Sequence, residues 1–313
     1  MSSHILRRLL STIPVAAVVA IFVFLLMRLA PGDPAALIAG EDATSIQIAV
    51  IREQLGLDLP IWQQFSIWAG GILRGDLGTS IFSNVPVSTL IGQRLEPTLM
   101  LMIATLVVAV SFAIPLGVIA AWNARTTIDR LVMILSVLGF AIPVFLAGYV
   151  LIYVFSIQLR WLPVQGYRPI SEGIWPCIKS LILPAIALGT SYIALIARTT
   201  RASMLEVLSQ DYIRTAHAKG LSTYRILMVH SLKNASIPIV TIVGIGISLL
   251  ISGVVITETV FNIPGLGRLT VDAVLKRDYP VMQGLILLFA VMKVIINLLV
   301  DLSYALFDPR IKH

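Results

Sequence analysis

Long apolar stretches almost free of charged residues dominate the sequence. Five of them cover 9–27, 97–124, 131–159, 180–197 and 234–257, and a sixth from Tyr279 to Phe307 is interrupted by Lys293 and Asp301. A helix crosses the hydrocarbon core of a membrane with about 20 apolar residues. The pattern therefore predicts an all-α membrane protein with six transmembrane helices.

Two features of these stretches bear on that count. Pro14, Pro115, Pro143 and Pro184 lie inside the predicted spans, but they do not argue against these spans, because neighbouring helices can satisfy the freed carbonyls. The first stretch follows a pair of arginines, as in a signal peptide. Its nineteen uncharged residues exceed the usual hydrophobic region of a cleaved signal, so a retained membrane anchor is the favoured interpretation.

The composition supports the membrane assignment. Of 313 residues, 58% are apolar and 12% are charged, whereas an average soluble domain is about 25% charged. So few charges exclude both a soluble surface for a chain of this length and intrinsic disorder, which requires a polar composition. The single cysteine excludes a disulfide scaffold.

The distribution of lysine and arginine predicts the orientation. With the N-terminus inside, the inner segments hold twelve basic and four acidic residues, and the outer segments hold nine basic and ten acidic ones. Cytoplasmic loops carry the excess of Lys and Arg, so we expect both termini in the cytoplasm. The predicted organisation is an N-terminal helix with an extracytoplasmic region (1–93), a five-helix core (94–307) containing a cytoplasmic loop (198–236), and a cytoplasmic tail (308–313).

The two longest loops are expected to have structure of their own. In the outer segment 28–97, the pattern over Ile46–Leu55 predicts an amphipathic helix with Arg52 and Glu53 facing water. The inner loop 198–236 holds half of the inner basic residues. Connections of this length are usually functional.

A short helix is predicted in the inner loop, from Asp211 to a stop at Gly220. Ser209 or Asp211 can accept hydrogen bonds from the first turn, and Gly220 suits the left-handed position after the last turn. Ser222 can begin a second helix that leads into the fifth span. The residues alone allow two interpretations: an amphipathic helix held by anionic lipid at the inner leaflet, or a rigid knob for a cytoplasmic partner.

The loop segment Asp211-Tyr-Ile-Arg-Thr-Ala-His-Ala-Lys-Gly-Leu-Ser222 resembles the coupling-loop signature of the oligopeptide/dipeptide/nickel permease family of ABC importers. Further blocks that agree along the chain are Pro31-Gly-Asp-Pro34, Gly75-Asp-Leu-Gly78, Leu162-Pro-Val-Gln-Gly-Tyr167, Leu183-Pro-Ala185, Ala197-Arg-Thr-Thr-Arg201, Met204-Leu-Glu-Val207, Ile263-Pro-Gly-Leu-Gly-Arg268, Arg277-Asp-Tyr-Pro280 and Asp308-Pro-Arg-Ile311. In the broader importer superfamily the loop carries Glu-Ala-Ala. Here Arg214 and Thr215 replace the first two of those residues.

The resemblance implies a type I ABC importer permease-like fold in the bacterial cytoplasmic (inner) membrane, with di- or oligopeptides as the expected solute. The implied partners are a second homologous permease, two ATP-binding subunits, an extracytoplasmic substrate-binding protein and membrane lipid. The residues expected to enter a groove on an ATP-binding subunit are Asp211, Tyr212, Arg214, Thr215, Ala216, Lys219 and Gly220. The turns expected to face the substrate-binding protein contain Gly75, Gly78, Pro264, Gly265 and Gly267, and the residues themselves predict tight, exposed turns whose glycines permit positive φ.

The source of energy is expected to lie in another chain. A phosphate-binding loop ends in Gly-Lys-Ser/Thr, and none of the six lysines follows a glycine. We therefore expect a non-enzymatic subunit without a cofactor. Ion-coupled secondary transport is the alternative, because Lys293, Asn297 and Asp301 share a helical face and Glu258 lies near the outer end of the fifth span. The favoured interpretation is that Lys293 pairs within the bundle while both carboxylates lie near the interfaces.

A second alternative is an intramembrane protease, since Gly246-Ile-Ser248 resembles a Gly-x-Ser motif. Such a serine needs a base within hydrogen-bond reach, and none of the four histidines falls in a predicted span. Gly244 and Gly246 are therefore interpreted as small residues for close helix packing. No zinc motif of the His-Glu-x-x-His type occurs, so no metal is expected. The inner positive charge is explained by membrane topology and does not indicate nucleic acid.

Overall fold

The computed structural model describes residues 14, 17–25, 35–36, 44–54 and 56–307. This part of the chain is almost entirely helical. Its α-helices are α1 (Ser45–Gln54), α2 (Ile61–Leu73), α3 (Val87–Trp122), α4 (Thr127–Ala141), α5 (Val144–Leu151), α6 (Ile174–Leu208), α7 (Asp211–Ala218), α8 (Thr223–Arg225), α9 (Ser236–Val260), α10 (Leu266–Lys276) and α11 (Tyr279–Phe307). Two π-helical segments, Ile152–Gln158 and Ile226–Ser231, continue α5 and α8, and a 3₁₀ turn covers Ile170–Glu172.

Four of these helices are long and apolar enough to cross a membrane: α3, α6, α9 and the Tyr279–Val300 part of α11. The bent pair formed by α4 and Val144–Gln158 makes a fifth span if it is counted as one. Of the first predicted span, 9–27, the structure describes residue 14 and residues 17–25, which are helical. Six spans and the position of the termini therefore stay predictions.

The predicted span over 131–159 is not one continuous helix. The chain breaks between Ala141 and Val144, and the two helical parts are bent by 103°. Ile142 has an extended ψ of 122°, which is what a following proline imposes because its ring disfavours the helical conformation of the preceding residue. A straight span over 131–159 is therefore not observed, whereas α3 and α6 continue through Pro115 and Pro184.

The described residues divide into two compact units, of which the first comprises those up to Arg94 together with Leu269–Val294. In this unit α1 confirms the predicted helix and the exposure of Arg52 and Glu53, but its apolar residues Ile46 and Val50 are exposed as well, so no covered apolar face is observed among its described side chains. The aromatic rings of Phe24, Phe65 and Trp68 pack together, with the centroids of Phe24 and Phe65 5.2 Å apart. These contacts attach α2 to the helical residues 17–25.

The second unit comprises Leu95–Arg268 together with the described residues from Ile295 onward. Its central element is α6, which contacts α4, α5 and α9. In α6, 61% of the most apolar window is buried, against 28% in α3 and in α9. One core cluster joins α3, α6 and α9 through Val118, Ala121, Met204, Ala235 and Ile239. This cluster lies at the end of the bundle from which the loop between α6 and α9 extends.

Candidate functional site

The loop helix α7 is held against its loop by two apolar side chains. Ile213 and Ala216 are 2% and 7% exposed and form a cluster with Ile226 at the start of the second π segment. The i, i+3 spacing of these two residues places them on one helical face. The other residues of α7 are exposed. One side of α7 is therefore packed against the loop, and the rest of its surface is open to solvent or to a partner.

The C-terminal end of α7 is a complete Schellman motif. Gly220 has φ +78°, its N–H donates to the carbonyl of His217 (2.9 Å), and the N–H of Leu221 donates to that of Ala216 (3.2 Å). These two bonds define the motif, and Leu221 completes it by packing on the Ile213 cluster. The predicted role of Gly220 at this helix end is confirmed.

The N-terminal end of α7 differs from the prediction. Gln210 occupies the cap position, and no side chain caps the first turn. Ser209 Oγ instead donates to the carbonyl of Glu206 (2.7 Å), and Asp211 is the first residue of the helix. The prediction that Ser209 or Asp211 caps the helix was therefore wrong. Ser209 is still close enough to the end of α6 to bond that helix.

The exposed face of α7 carries most of the predicted docking residues. The side chains of Asp211 and Arg214 are 92% and 79% exposed and form an ion pair at 3.5 Å. Thr215 and Lys219 are exposed on the same short helix, whereas Ala216 faces inward. An ion pair so exposed contributes little to stability, so these charges are free to meet a partner.

Two further contacts tie α7 to the helical bundle. The rings of His217 and Trp122, the last residue of α3, are stacked with centroids 6.1 Å apart. Asn234, just before α9, donates from Nδ2 to the hydroxyl of Tyr212 (3.1 Å). The second predicted helix of the loop is present as α8 followed by the π segment. A displacement of α7 would therefore reach both α3 and α9.

Sequence reasoning missed a buried ion pair near this loop. Arg201 of α6 forms a bidentate pair with Asp129 of α4, with distances of 2.5 and 2.7 Å, and the Asp129 side chain is 5% exposed. Asp129 also accepts from the N–H of Arg125 (2.9 Å). A planar guanidinium suits such paired bonds. Arg201 stood in a family block, but the sequence offered no signal for its partner 72 residues away.

The turn Gly75–Gly78, here called the Gly75 turn, belongs to the first unit. Gly75 and Gly78 are exposed and have φ +83° and +82°, which confirms the predicted use of glycine there. Asp76 Oδ1 accepts from the N–H of Gly78 (2.8 Å) and closes the turn. Nearby, Ser80 Oγ donates to the buried carboxylate of Asp278 (2.5 Å), which fixes this segment beside the start of α11.

A buried carboxylate organises the turn Pro264–Gly267, here called the Pro264 turn, in the second unit. Glu258, two residues before the end of α9, is 0% exposed. Its Oε1 accepts from Thr98 Oγ1 (2.6 Å), and its Oε2 accepts from the N–H of Arg268 (2.9 Å). Thr98 Oγ1 in turn accepts from the N–H of Leu266 (2.8 Å). Hydrogen bonds to a charged group are the strong ones, so this network joins α3, α9 and the Pro264 turn.

The glycines of the Pro264 turn serve a different purpose from the one predicted. Neither Gly265 nor Gly267 has φ in the left-handed region, and both are buried. A Cβ on Gly265 would overlap the Glu258 carboxylate, and one on Gly267 would lie 2.6 Å from the Cα of Val255. The expectation of exposed glycines with positive φ was wrong here. Lack of a side chain lets the turn close over Glu258.

The polar residues that suggested ion-coupled transport do not form a relay among the described side chains. Lys293 is exposed and in no ion pair with any side chain described here, so the expected pairing within the bundle is not observed. Asn297 accepts from Ser248 Oγ (3.1 Å). The Asp301 side chain falls outside the described residues, and Glu258 is enclosed as above.

The residues that suggested a protease serve packing instead. Ser248 donates to an amide oxygen, and the two described histidines, His217 and His230, lie in the loop between α6 and α9. A Cβ on Gly244 would lie 2.5 Å from Val300, so this glycine allows α9 and α11 to approach closely. In the described part of the chain, no group of three or more His, Cys, Asp or Glu side chains could hold a metal.

Two family descriptions match the chain. The binding-protein-dependent transport system inner membrane component matches residues 113–313, and the N-terminal region of such membrane components matches residues 1–102. Together they cover nearly the whole chain.

Individual proteins agree with this match. The chain is 55% identical, over the whole length of both, to a probable peptide ABC transporter permease, protein y4tP of Sinorhizobium fredii. It is 45% identical, again over both full lengths, to the glutathione transport system permease protein GsiC of Escherichia coli K12. A chain of the inward-facing MetNI methionine ABC transporter is similar in fold, with TM-score 0.60, 16% identity, and coverage of 71% of this chain and 97% of that one.

Proposed function

The chain belongs to the family of binding-protein-dependent transport system inner membrane components, and from this membership we propose that it is one permease subunit of an ATP-driven peptide importer. As a member it is a multi-pass protein of the cytoplasmic membrane. The proposed topology has six spans with both termini in the cytoplasm. The apolar stretch 9–27 supplies the first span, and the excess of basic residues in the inner segments sets the orientation.

We propose di- or oligopeptides as the solute. Two similar proteins are described as permeases for peptides and for glutathione, and glutathione is itself a tripeptide. The proposed assembly contains a second homologous permease, two ATP-binding subunits and an extracytoplasmic substrate-binding protein. ATP has to be hydrolysed by another chain because no lysine of this one belongs to a phosphate-binding loop. The solute would pass between the two permeases.

The observation that carries the proposal is the construction of α7. An exposed face with Asp211, Tyr212, Arg214, Thr215 and Lys219 rests on a buried face that is anchored to the loop. A helix that only lay on lipid would turn its apolar side to the membrane. In α7 the apolar side chains of Ile213 and Ala216 are already covered by protein, so the exposed side is left for a partner with a matching groove.

The proposed coupling runs from α7 into the spans. When the ATP-binding subunits close on nucleotide, α7 moves with them, and its contacts carry the displacement onward. The Ile213 cluster reaches Ile226, from which the π segment leads to α9, and the stack of His217 on Trp122 reaches α3. Packed side chains transmit displacement because protein interiors are dense and not easily compressed.

On the opposite side of the membrane, we propose that the Gly75 turn and the Pro264 turn face the substrate-binding protein. Pro264 is exposed while Gly265 and Gly267 are covered. The buried network around Glu258 fixes the backbone of this turn, so the surface that it offers is rigid. Preorganised loops lose less entropy on binding.

The proposal is tested at Gly220 and Arg214 in the reconstituted importer. Gly220→Val forces a β-branched residue into the left-handed region, where nothing within 4 Å would contact its Cβ, so the change acts on the backbone. We expect Gly220→Val and Arg214→Glu each to abolish peptide uptake and to uncouple ATP hydrolysis from the substrate-binding protein, with membrane insertion intact.

The matched controls are Gly220→Asn and Arg214→Lys. Asparagine tolerates the left-handed conformation, and lysine keeps the positive charge, so both variants should retain at least about half of the uptake. Normal uptake by Gly220→Val or by Arg214→Glu would contradict the docking role of α7.

A further inference from the structure

An open cavity of about 610 Å³ lies in the second unit, between the segment that follows the first π-helical stretch and the first turns of α6. A volume of this order is typical of ligand pockets. Its walls include Arg160, Trp161, Tyr167, Arg168, Lys179 and Ser180. The coupling loop and the two proposed docking turns contribute nothing to it.

The lining of this basic cavity carries three cations and no carboxylate. Arg168 is paired with Glu172 at 3.1 Å. Arg160 and Lys179 are exposed and form no ion pair with any residue that the structure describes. Like charges gathered in a concavity repel one another and raise the local concentration of anions. The cavity is therefore suited to an anion.

The carboxylate of Glu96, which contacts the cavity wall at Tyr167, is already engaged. Glu96 accepts from the hydroxyl of Tyr167 (2.8 Å) and from the N–H of Ile170 (3.0 Å). Burial, and then the hydrogen bond to Glu96, raise the pKa of Tyr167, so this hydroxyl stays protonated and adds no negative charge. Glu96 thus fixes one wall of the cavity and leaves Arg160 and Lys179 without a counter-charge.

Large exposed apolar side chains lie beside the lining residues of the cavity in the sequence. Trp161 and Trp175 are 62% and 67% exposed, and Ile174 and Ile178 on the first turns of α6 are 68% and 45% exposed. Tryptophan is enriched where a membrane meets water. In a membrane these residues would lie among the upper acyl chains and glycerol groups, at the level where lipid phosphates begin.

We propose that the basic cavity binds the phosphate of an anionic phospholipid headgroup. A phospholipid joins a phosphate, suited to Arg160 and Lys179, to acyl chains that would cover Trp175 and Ile178. Inorganic phosphate would meet the charges of the cavity but would make no contact with these apolar side chains. Placing the cavity at the outer leaflet rests on the topology in the proposed function, whereas binding itself does not depend on transport.

The test measures lipid retained by the assembled importer. The complex is delipidated in detergent, incubated separately with phosphatidylglycerol, phosphatidylcholine or inorganic phosphate, and analysed by native mass spectrometry. Each cation near a membrane surface contributes to the attraction of an anionic lipid. We expect phosphatidylglycerol to be retained in preference to phosphatidylcholine, and the double variant Arg160→Gln/Lys179→Gln to lower its affinity at least about tenfold.

The control is Lys276→Gln, which removes an exposed positive charge at the end of α10 and should leave retention unchanged. Equal retention of the two lipids, or unchanged retention in the double variant, would overturn the proposal.

Two other outcomes would assign the cavity to a different ligand. Displacement of phosphatidylglycerol by millimolar inorganic phosphate would assign it to a soluble anion and would also contradict the proposal. If the double variant kept its lipid but lost ATP hydrolysis stimulated by the substrate-binding protein, the cavity would belong to a protein interface. Because retention is measured without transport, a complex that binds the lipid but transports no peptide would contradict the proposed function and not this proposal.

Discussion

The α7 loop and the Pro264 turn both depend on glycine, but they are built in opposite ways. Gly220 has φ +78° and open space where a Cβ would be, whereas Gly265 lies against the enclosed carboxylate of Glu258. The first region is a short helix held by the buried side chains of Ile213 and Ala216 and by exposed contacts of His217 and Tyr212. The second is held by charge-assisted hydrogen bonds within the protein.

This difference separates two functions. An element that has to move with a partner is drawn from the less stable parts of a structure, and the attachment of α7 through Ile213 and Ala216 suits such movement. An element that offers a fixed surface benefits from a buried polar network in which every member is satisfied. We therefore expect substitutions at the Pro264 turn to affect stability, and substitutions in α7 to affect coupling.

The largest expected effect on stability is at Gly265. In Gly265→Ala the new methyl group would displace the Glu258 carboxylate from its donors, combining overpacking with an unsatisfied buried charge. We expect the free energy of unfolding to fall by about 3 kcal/mol, measured by thermal unfolding of the detergent-solubilised importer.

The control for this change is Gly92→Ala in α3, where no atom lies within 4 Å of the added Cβ and φ is ordinary. Alanine is favoured over glycine inside a helix, so this variant should be as stable as the parent or slightly more so. Equal stability of Gly265→Ala and Gly92→Ala would show that Glu258 is not the anchor of the turn.

A smaller effect on stability is expected at Gly220. In Gly220→Ala the side chain enters open space, and the cost is the left-handed backbone conformation, about 1 kcal/mol. Peptide uptake should nevertheless fall more than in Gly92→Ala, because the end of α7 is distorted. Thermal unfolding and uptake, measured on the same preparations, separate the two effects. If Gly220→Ala lost as much stability as Gly265→Ala, the proposed difference between the α7 loop and the Pro264 turn would be contradicted.

The sequence was sufficient for features that depend on local pattern. The apolar stretches located α3, α6, α9 and α11, because a membrane span needs many apolar residues in succession. The end of α7 was also predictable, since only glycine readily adopts the left-handed conformation that a Schellman motif needs. The capping of α7 was not, because Ser209 found an alternative acceptor in the carbonyl of Glu206.

Features that depend on distant partners could not be derived in this way. The donors that enclose Glu258 come from α3 and from the Pro264 turn, and Thr98 is 160 residues away along the chain. Asp129 and Arg201, which form an ion pair, are likewise far apart along the chain, by 72 residues. The break at Pro143 was not predicted for a different reason. The segments on both sides of this proline are apolar, and hydropathy alone does not show whether a helix continues through a proline or ends at it.

The central claim is that α7 receives the motion of a separate ATP-binding subunit, and cysteine cross-linking tests it most directly. The native Cys177 is buried, so a cysteine introduced as Ala218→Cys on the exposed side of α7 can be addressed selectively in the assembled importer. Lys276→Cys, placed on the other side of the membrane in the proposed topology, is the control. The account predicts that a short bifunctional reagent joins position 218, and not position 276, to the ATP-binding subunit, with a yield that changes on adding ATP. Absence of any cross-link from position 218 to that subunit, in a complex that still transports peptide, would contradict it.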